Sequence, residues 1–145
     1  MAPLCEQHAL RGGGFPIAST TYRSVFGPVR TYPALDPATI RVSWAPDRSN
    51  PTTLAAKSLS GKVYVFTEPG LPVRRISFYL DDMCMSRPPH SAETYAPYDF
   101  AGGTVGTAFA FDSSTLLTGG HTLTVAVDTG TSTMVGTAPF VHYLF

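Results

Sequence analysis

From residue 40 onward, apolar and polar positions alternate. Ile40, Val42 and Trp44 are interleaved with Arg41 and Ser43, the period of two that marks a strand with one buried face. Pro46 ends that run, and PDRSNPTTLAAKS reads as a polar, turn-rich connection in which Asp47, Ser49 and Asn50 can bond their own backbone. LSGKVYVFT predicts a second strand, with Leu59, Gly61, Val63 and Val65 on one side and Lys62, Tyr64 and Phe66 on the other. In VRRISFYL the apolar set is Ile76, Phe78 and Leu80, opposed by Arg75, Ser77 and Tyr79, which predicts a central strand. The stretch DDMCMSRPPHSAETYAPYDFAGG is irregular, with room for one short edge strand around Glu93 to Tyr95. TVGTAFAFD predicts a short strand, and DSSTLLTGG a single helical turn with Asp112 as its N-cap. Two long strands close the chain, HTLTVAVDT with Leu123, Val125 and Val127 inward, and TSTMVGTAPFVHYLF returning across the DTGT turn.

Residues 1–37 show no sustained period and carry GGG at 12–14 and prolines at 3, 16, 28, 33 and 37. They read as a leader or linker. Phe15, Ile17, Tyr22, Val25, Phe26, Val29 and Tyr32 are too many apolar residues for a solvated tail, so part of the leader is expected to pack on the domain. Residues 38–145 then form the domain proper. About seven short strands at roughly 8 to 15 residue spacing, without an amphipathic helix, fit an all-β, immunoglobulin-like antiparallel sandwich; a jelly roll or small barrel is the alternative.

Composition narrows the function more than the fold. Thirteen Gly and thirteen Pro with 14% charged residues suit strands and turns rather than long surface helices. Ten basic and ten acidic residues cancel, so no overall field favours nucleic acid or an anionic membrane. No apolar run approaches the roughly 18 to 20 residues that span a bilayer. MAPLCEQHALRGGG lacks a basic n-region followed by an apolar h-region, so the chain does not read as an intact secretory precursor. Cys5 and Cys84 are one disulfide or two free thiols, and spacing leaves both open.

IRVSWAPDRSNPTTL, LSGKVYVFTEPGLPVRRISFYLDD, SAETYAPYDFAGG and AFAFDSSTLLTGGHTLTVAV, with a final alternating strand, together resemble a bacterial immunoglobulin-like domain. FYLDD followed by APYDF and FDSSTL is the more specific part, and nothing before residue 38 belongs to the match. Such domains recur in large secreted and cell-surface proteins beside polysaccharide-active or lectin-like domains. The resemblance implies an extracellular or cell-surface accessory or spacer module whose partners are neighbouring domains. MCMSRPPHS departs from the pattern, which has a more polar loop there.

Little in the sequence suggests catalysis. There is no GxSxG, the histidines at 8, 90, 121 and 142 are far apart, and Asp81 with Asp82 is a poor acid/base dyad because neighbouring side chains on a strand face opposite ways. The protein is therefore not expected to be an enzyme. No cofactor is expected; calcium is the alternative to consider, since Asp81, Asp82, Asp99 and Asp112 sit at strand ends where carboxylates and carbonyls converge, but turn-capping explains each of them. Met83, Cys84, Met85 and His90 offer soft-metal donors without a recognised spacing. A carbohydrate-binding alternative would use Tyr64, Phe66 and Tyr79 on the non-core face as stacking surfaces for polysaccharide. Adhesion or self-association through sheet edges or the apolar FVHYLF run is a further alternative.

Overall fold

The computed structural model describes residues 30–143, with side chains from Tyr32, together with the strands Glu6–His8 and Ser19–Arg23. Phe15, Ile17, Val25, Phe26 and Val29 lie outside the described residues. The protein is built from β-strands. They are β1 (Glu6–His8), β2 (Ser19–Arg23), β3 (Arg30–Pro33), β4 (Ile40–Ser43), β5 (Thr52–Thr53), β6 (Lys57–Leu59), β7 (Lys62–Thr67), β8 (Arg75–Leu80), β9 (Ser91–Glu93), β10 (Tyr98–Asp99), β11 (Phe111–Asp112), β12 (Gly119–Asp128) and β13 (Thr133–His142). Short 3-10 turns cover Pro37–Thr39 and Ser113–Thr115.

Two mainly antiparallel sheets share one core, and β1, β2 and β3 form a separate small sheet. The first has the order β10-β7-β4-β5, with β11 also on β7; the second has the order β6-β13-β12-β8-β9. Ile40, Val42, Val63 and Val65 from the first, with Phe100 just beyond β10, meet Ile76, Phe78, Leu123, Val125, Val127, Ala138 and Phe140 from the second. Alternation in the sequence puts these side chains on the facing sides. Burying a ring such as Phe78 contributes about 1.5–3 kcal/mol.

Several predicted elements change shape in three dimensions. The expected strand over 59–67 divides at Gly61, whose φ of +69° is a corner that residues with a Cβ adopt reluctantly. The chain thereby steps between sheets: β6 pairs parallel with β13, and β7 pairs antiparallel with β4. Trp44 does not continue the buried face of β4. The Ser43 hydroxyl donates to the Ser49 carbonyl at 2.6 Å and accepts from the Ala45 amide at 3.1 Å, which turns the chain and leaves Trp44 51% exposed. The edge strand expected at Glu93–Tyr95 lies two residues earlier, and Tyr95 is exposed. Of TVGTAFAFD, only Phe111 and Asp112 join a sheet.

The edge of β13 away from β12 receives two short segments in turn, the approach to β6 and the chain before the first 3-10 turn. Ala56 donates to the Pro139 carbonyl at 2.7 Å, and Leu35 donates to the Val135 carbonyl at 3.0 Å. Pro139 suits this position because its carbonyl, and with it the place of its missing N–H, faces away from β12, so no hydrogen bond to β12 is lost. Leu35 is buried in the core, and Gly136 makes its approach feasible: a Cβ there would stand 2.8 Å from the Leu35 carbonyl oxygen.

Candidate functional site

Arg48 organises the end of the molecule where β4 leaves its sheet. Its Nε and Nη2 donate to Asp99 Oδ1 and Oδ2 at 2.8 and 2.6 Å, and Nη1 and Nη2 reach the carbonyls of Val105 and Thr104 at 3.0 and 2.6 Å. The Ala108 amide donates to the Pro46 carbonyl at 2.7 Å. These bonds draw residues 101–110 out of the line between β10 and β11 and over toward the 44–50 loop, which is why TVGTAFAFD is not a continuous strand. Arg48 adopts a left-handed φ of 61°, a conformation costing roughly 1–2 kcal/mol that its bonds offset. Nearby Glu93 has its pKa raised by burial and by the Asp99 charge.

The four carboxylates considered for calcium are engaged separately. Asp99 is held by Arg48. Asp112 caps the second 3-10 turn, accepting from the Ser114 amide at 3.0 Å and its hydroxyl at 2.6 Å. Asp82 folds the following loop onto itself through the amides of Ser86 and Arg87 and the Ser86 hydroxyl. Asp81 accepts from the Thr122 amide and faces His121. Among the described residues, no three His, Cys, Asp or Glu side chains gather into a metal-binding group.

The three aromatic residues nominated for stacking do not form a platform. Phe66 stands opposite Arg41 and Asp99 on the outer face of the first sheet, as alternation requires, yet it is only 1% exposed. It shares its face with Asp99, the residue to which Arg48 ties the 101–110 segment. Tyr64 is half-buried on the same sheet, whereas Tyr79 lies on the second sheet. The Tyr79 hydroxyl has a raised pKa through burial, with the Asp82 and Tyr32 charges adding to it. Thr124 and Val135 are buried on that outer face too. Exposed rings occur elsewhere, at Trp44, Tyr95 and Phe109. Trp44 is turned out by the local Ser43 bonds, and Phe109 lies in the segment that the Ala108 amide ties to the Pro46 carbonyl.

In the atypical MCMSRPPHS loop, Cys84 is disulfide-bonded; Cys5, the other cysteine of the sequence, lies outside the described residues. His90 stacks on Phe100 with centroids 4.8 Å apart. A bonded sulfur and a stacked imidazole serve the scaffold, so the soft-metal reading is not supported.

Depressions open on the surface of the described residues. One of about 530 Å³ is lined by Ala56, Asp81, His121, Pro139 and Phe140. Another of about 580 Å³ lies between the 67–72 loop and Ala96–Tyr98. A further one of about 180 Å³ has Tyr79, Asp82, Arg87 and His90 around it. The first brings one nominated residue, Asp81, to a cavity together with His121, and the two bond each other there.

Comparison with protein-family models, with curated proteins and with solved structures returned no match to this chain. Among the described residues, no helix is long and apolar enough to cross a membrane.

Proposed function

We propose that the chain is a non-catalytic accessory or spacer module of an extracellular protein, with an immunoglobulin-like strand arrangement. The observation that carries the reading is the use of the nominated carboxylates: Asp81, Asp82, Asp99 and Asp112 are each bonded to groups of the chain itself, in contacts that fix loops and turns, and so is His121 beside Asp81. A binding or catalytic site needs polar groups left over for its ligand.

Strand order supports the arrangement. In this reading β4, β7 and β10 with β11 take the parts of strands A, B and E, and β9, β8, β12 and β13 those of C′, C, F and G, while β6 lies parallel to the last strand. The disulfide at Cys84 favours an oxidising compartment. The sequence resemblance to immunoglobulin-like modules points the same way. Affinity electrophoresis through gels containing a panel of polysaccharides tests the reading. A spacer migrates unretarded in every gel; retardation by any glycan replaces the spacer role with carbohydrate binding.

A further inference from the structure

His121 lies near the start of β12 on the core side, stacked against Phe140 with centroids 5.7 Å apart. Both of its ring nitrogens end on acceptors. Nδ1 is 2.6 Å from Asp81 Oδ2, and Nε2 is 2.6 Å from the Leu117 carbonyl oxygen. A neutral imidazole has one N–H, so at one of these contacts it would set a lone pair against an oxygen. Only the imidazolium donates to both.

Asp81 is fixed for this role from the other side. Its Oδ1 accepts from the Thr122 amide at 3.0 Å, and its own amide donates to the Thr122 carbonyl at 2.9 Å. Leu117 belongs to the connection between the second 3-10 turn and β12, and its side chain is exposed. The His121 ring thus joins three segments: the residue after β8, the 116–118 connection and the start of β12.

We propose that His121 is a pH-sensitive latch, which as an imidazolium ties the 116–118 connection to the end of β8 and on losing its proton releases Leu117. The Asp81 contact survives deprotonation, because the remaining N–H is held most strongly by a carboxylate. The Leu117 contact becomes lone pair against lone pair. Release would free one support of the rim of the 530 Å³ depression that His121 and Asp81 line.

The surroundings contain little that competes. Asp81 is the one charged side chain among the residues lining the depression; β13 contributes Pro139, Phe140 and Val141, and Ala56 lies before β6. Asp82, next along the chain, turns its carboxylate to Ser86 and Arg87 instead. Burial disfavours the charged ring, but the Leu117 carbonyl and the Asp81 carboxylate outweigh it, and the His121 pKa is raised.

Nuclear magnetic resonance on the full chain tests the latch. Long-range ring ¹⁵N shifts should show both His121 nitrogens protonated below a midpoint that lies above about 6.5. The Leu117 carbonyl ¹³C shift should move through the same midpoint, and exchange of the neighbouring Leu116 amide should rise there beyond base catalysis, by roughly tenfold for each unit of midpoint displacement. Asp81→Asn should lower the ring and carbonyl midpoints together by about one unit or more. A ring with one protonated nitrogen throughout overturns the proposal. So does a Leu117 carbonyl unmoved by the ring titration, or a midpoint that Asp81→Asn leaves in place. The wild-type titration decides the matter even if that variant does not fold.

Discussion

Arg48 grips Asp99 through a two-pronged ion pair whose side chains are almost wholly buried, joining residues 51 positions apart in the chain. Because the same guanidinium takes the carbonyls of Thr104 and Val105, one side chain sets the course of the 101–110 segment. Asp99→Asn would leave that guanidinium buried without its counter-charge. It should lower stability by about 3–5 kcal/mol and alter the fluorescence of Trp44, the single tryptophan, which lies four residues before Arg48. Urea unfolding followed by Trp44 emission measures both; an unchanged midpoint would show that the pair does not hold the segment.

Gly136 supports a second long-range contact, and here the expected sign is unusual. Glycine inside a strand is ordinarily improved by alanine. At this position the added Cβ would meet the Leu35 carbonyl oxygen at 2.8 Å and the Leu35 Cβ at 3.1 Å. Gly136→Ala should therefore destabilise the fold, by about 1–3 kcal/mol, as read from the thermal midpoint. A rise in that midpoint would mean that Leu35 does not pack over β13 as described.

Two carboxyl groups should give opposite pH dependences. Burial works against the Asp82 carboxylate, but the amides of Ser86 and Arg87 and the Ser86 hydroxyl outweigh it and lower its pKa below 3.8. Its stabilisation is present above that value and is lost as pH falls through the depressed folded pKa, so Asp82→Asn should flatten the acid limb of the stability profile. Glu93 is raised above 4.5 by burial and by Asp99. Its contribution is present below 4.5 and lost as pH climbs through the raised folded value. Glu93→Gln should then increase stability at neutral pH, and denaturant midpoints across the range from acid to neutral check both signs.

The described loop at Cys84 also makes a chemical prediction. Cys84 is disulfide-bonded and Cys5 is the one other cysteine of the sequence, so iodoacetamide should add no label to the denatured, unreduced chain and two labels after reduction. Mass spectrometry distinguishes the outcomes. Labelling before reduction would remove the support that the disulfide lends to an oxidising compartment.

How much of this is legible in the sequence depends on whether an element's geometry is local. β8 and β12 follow directly from Ile76, Phe78, Leu123, Val125 and Val127, because a strand buried on one face needs only the period of two. Asp112 as a cap is equally local, since donor and acceptor lie two residues apart. The break at Gly61 is harder to see, for glycine fits a strand pattern and a corner alike. Phe66 shows a further limit: alternation assigns it correctly to the outer face, but it cannot reveal that the face is covered. Arg48 carries no local signal at all. Its partners are Asp99 and two carbonyls of a segment that looks like a strand when read alone, and the candidate site changed accordingly from a set of free carboxylates and rings to a set of occupied ones.

The claim that these polar groups are structural is tested most directly by ¹H–¹⁵N correlation spectra of the intact chain, recorded with calcium and then with each member of a polysaccharide panel. The account predicts spectra that overlay throughout, because the carboxylates at 81, 82, 99 and 112 are already bonded within the chain. Saturable shifts clustered at those carboxylates with calcium, or at Trp44, Tyr95 and Phe109 with a glycan, would contradict it.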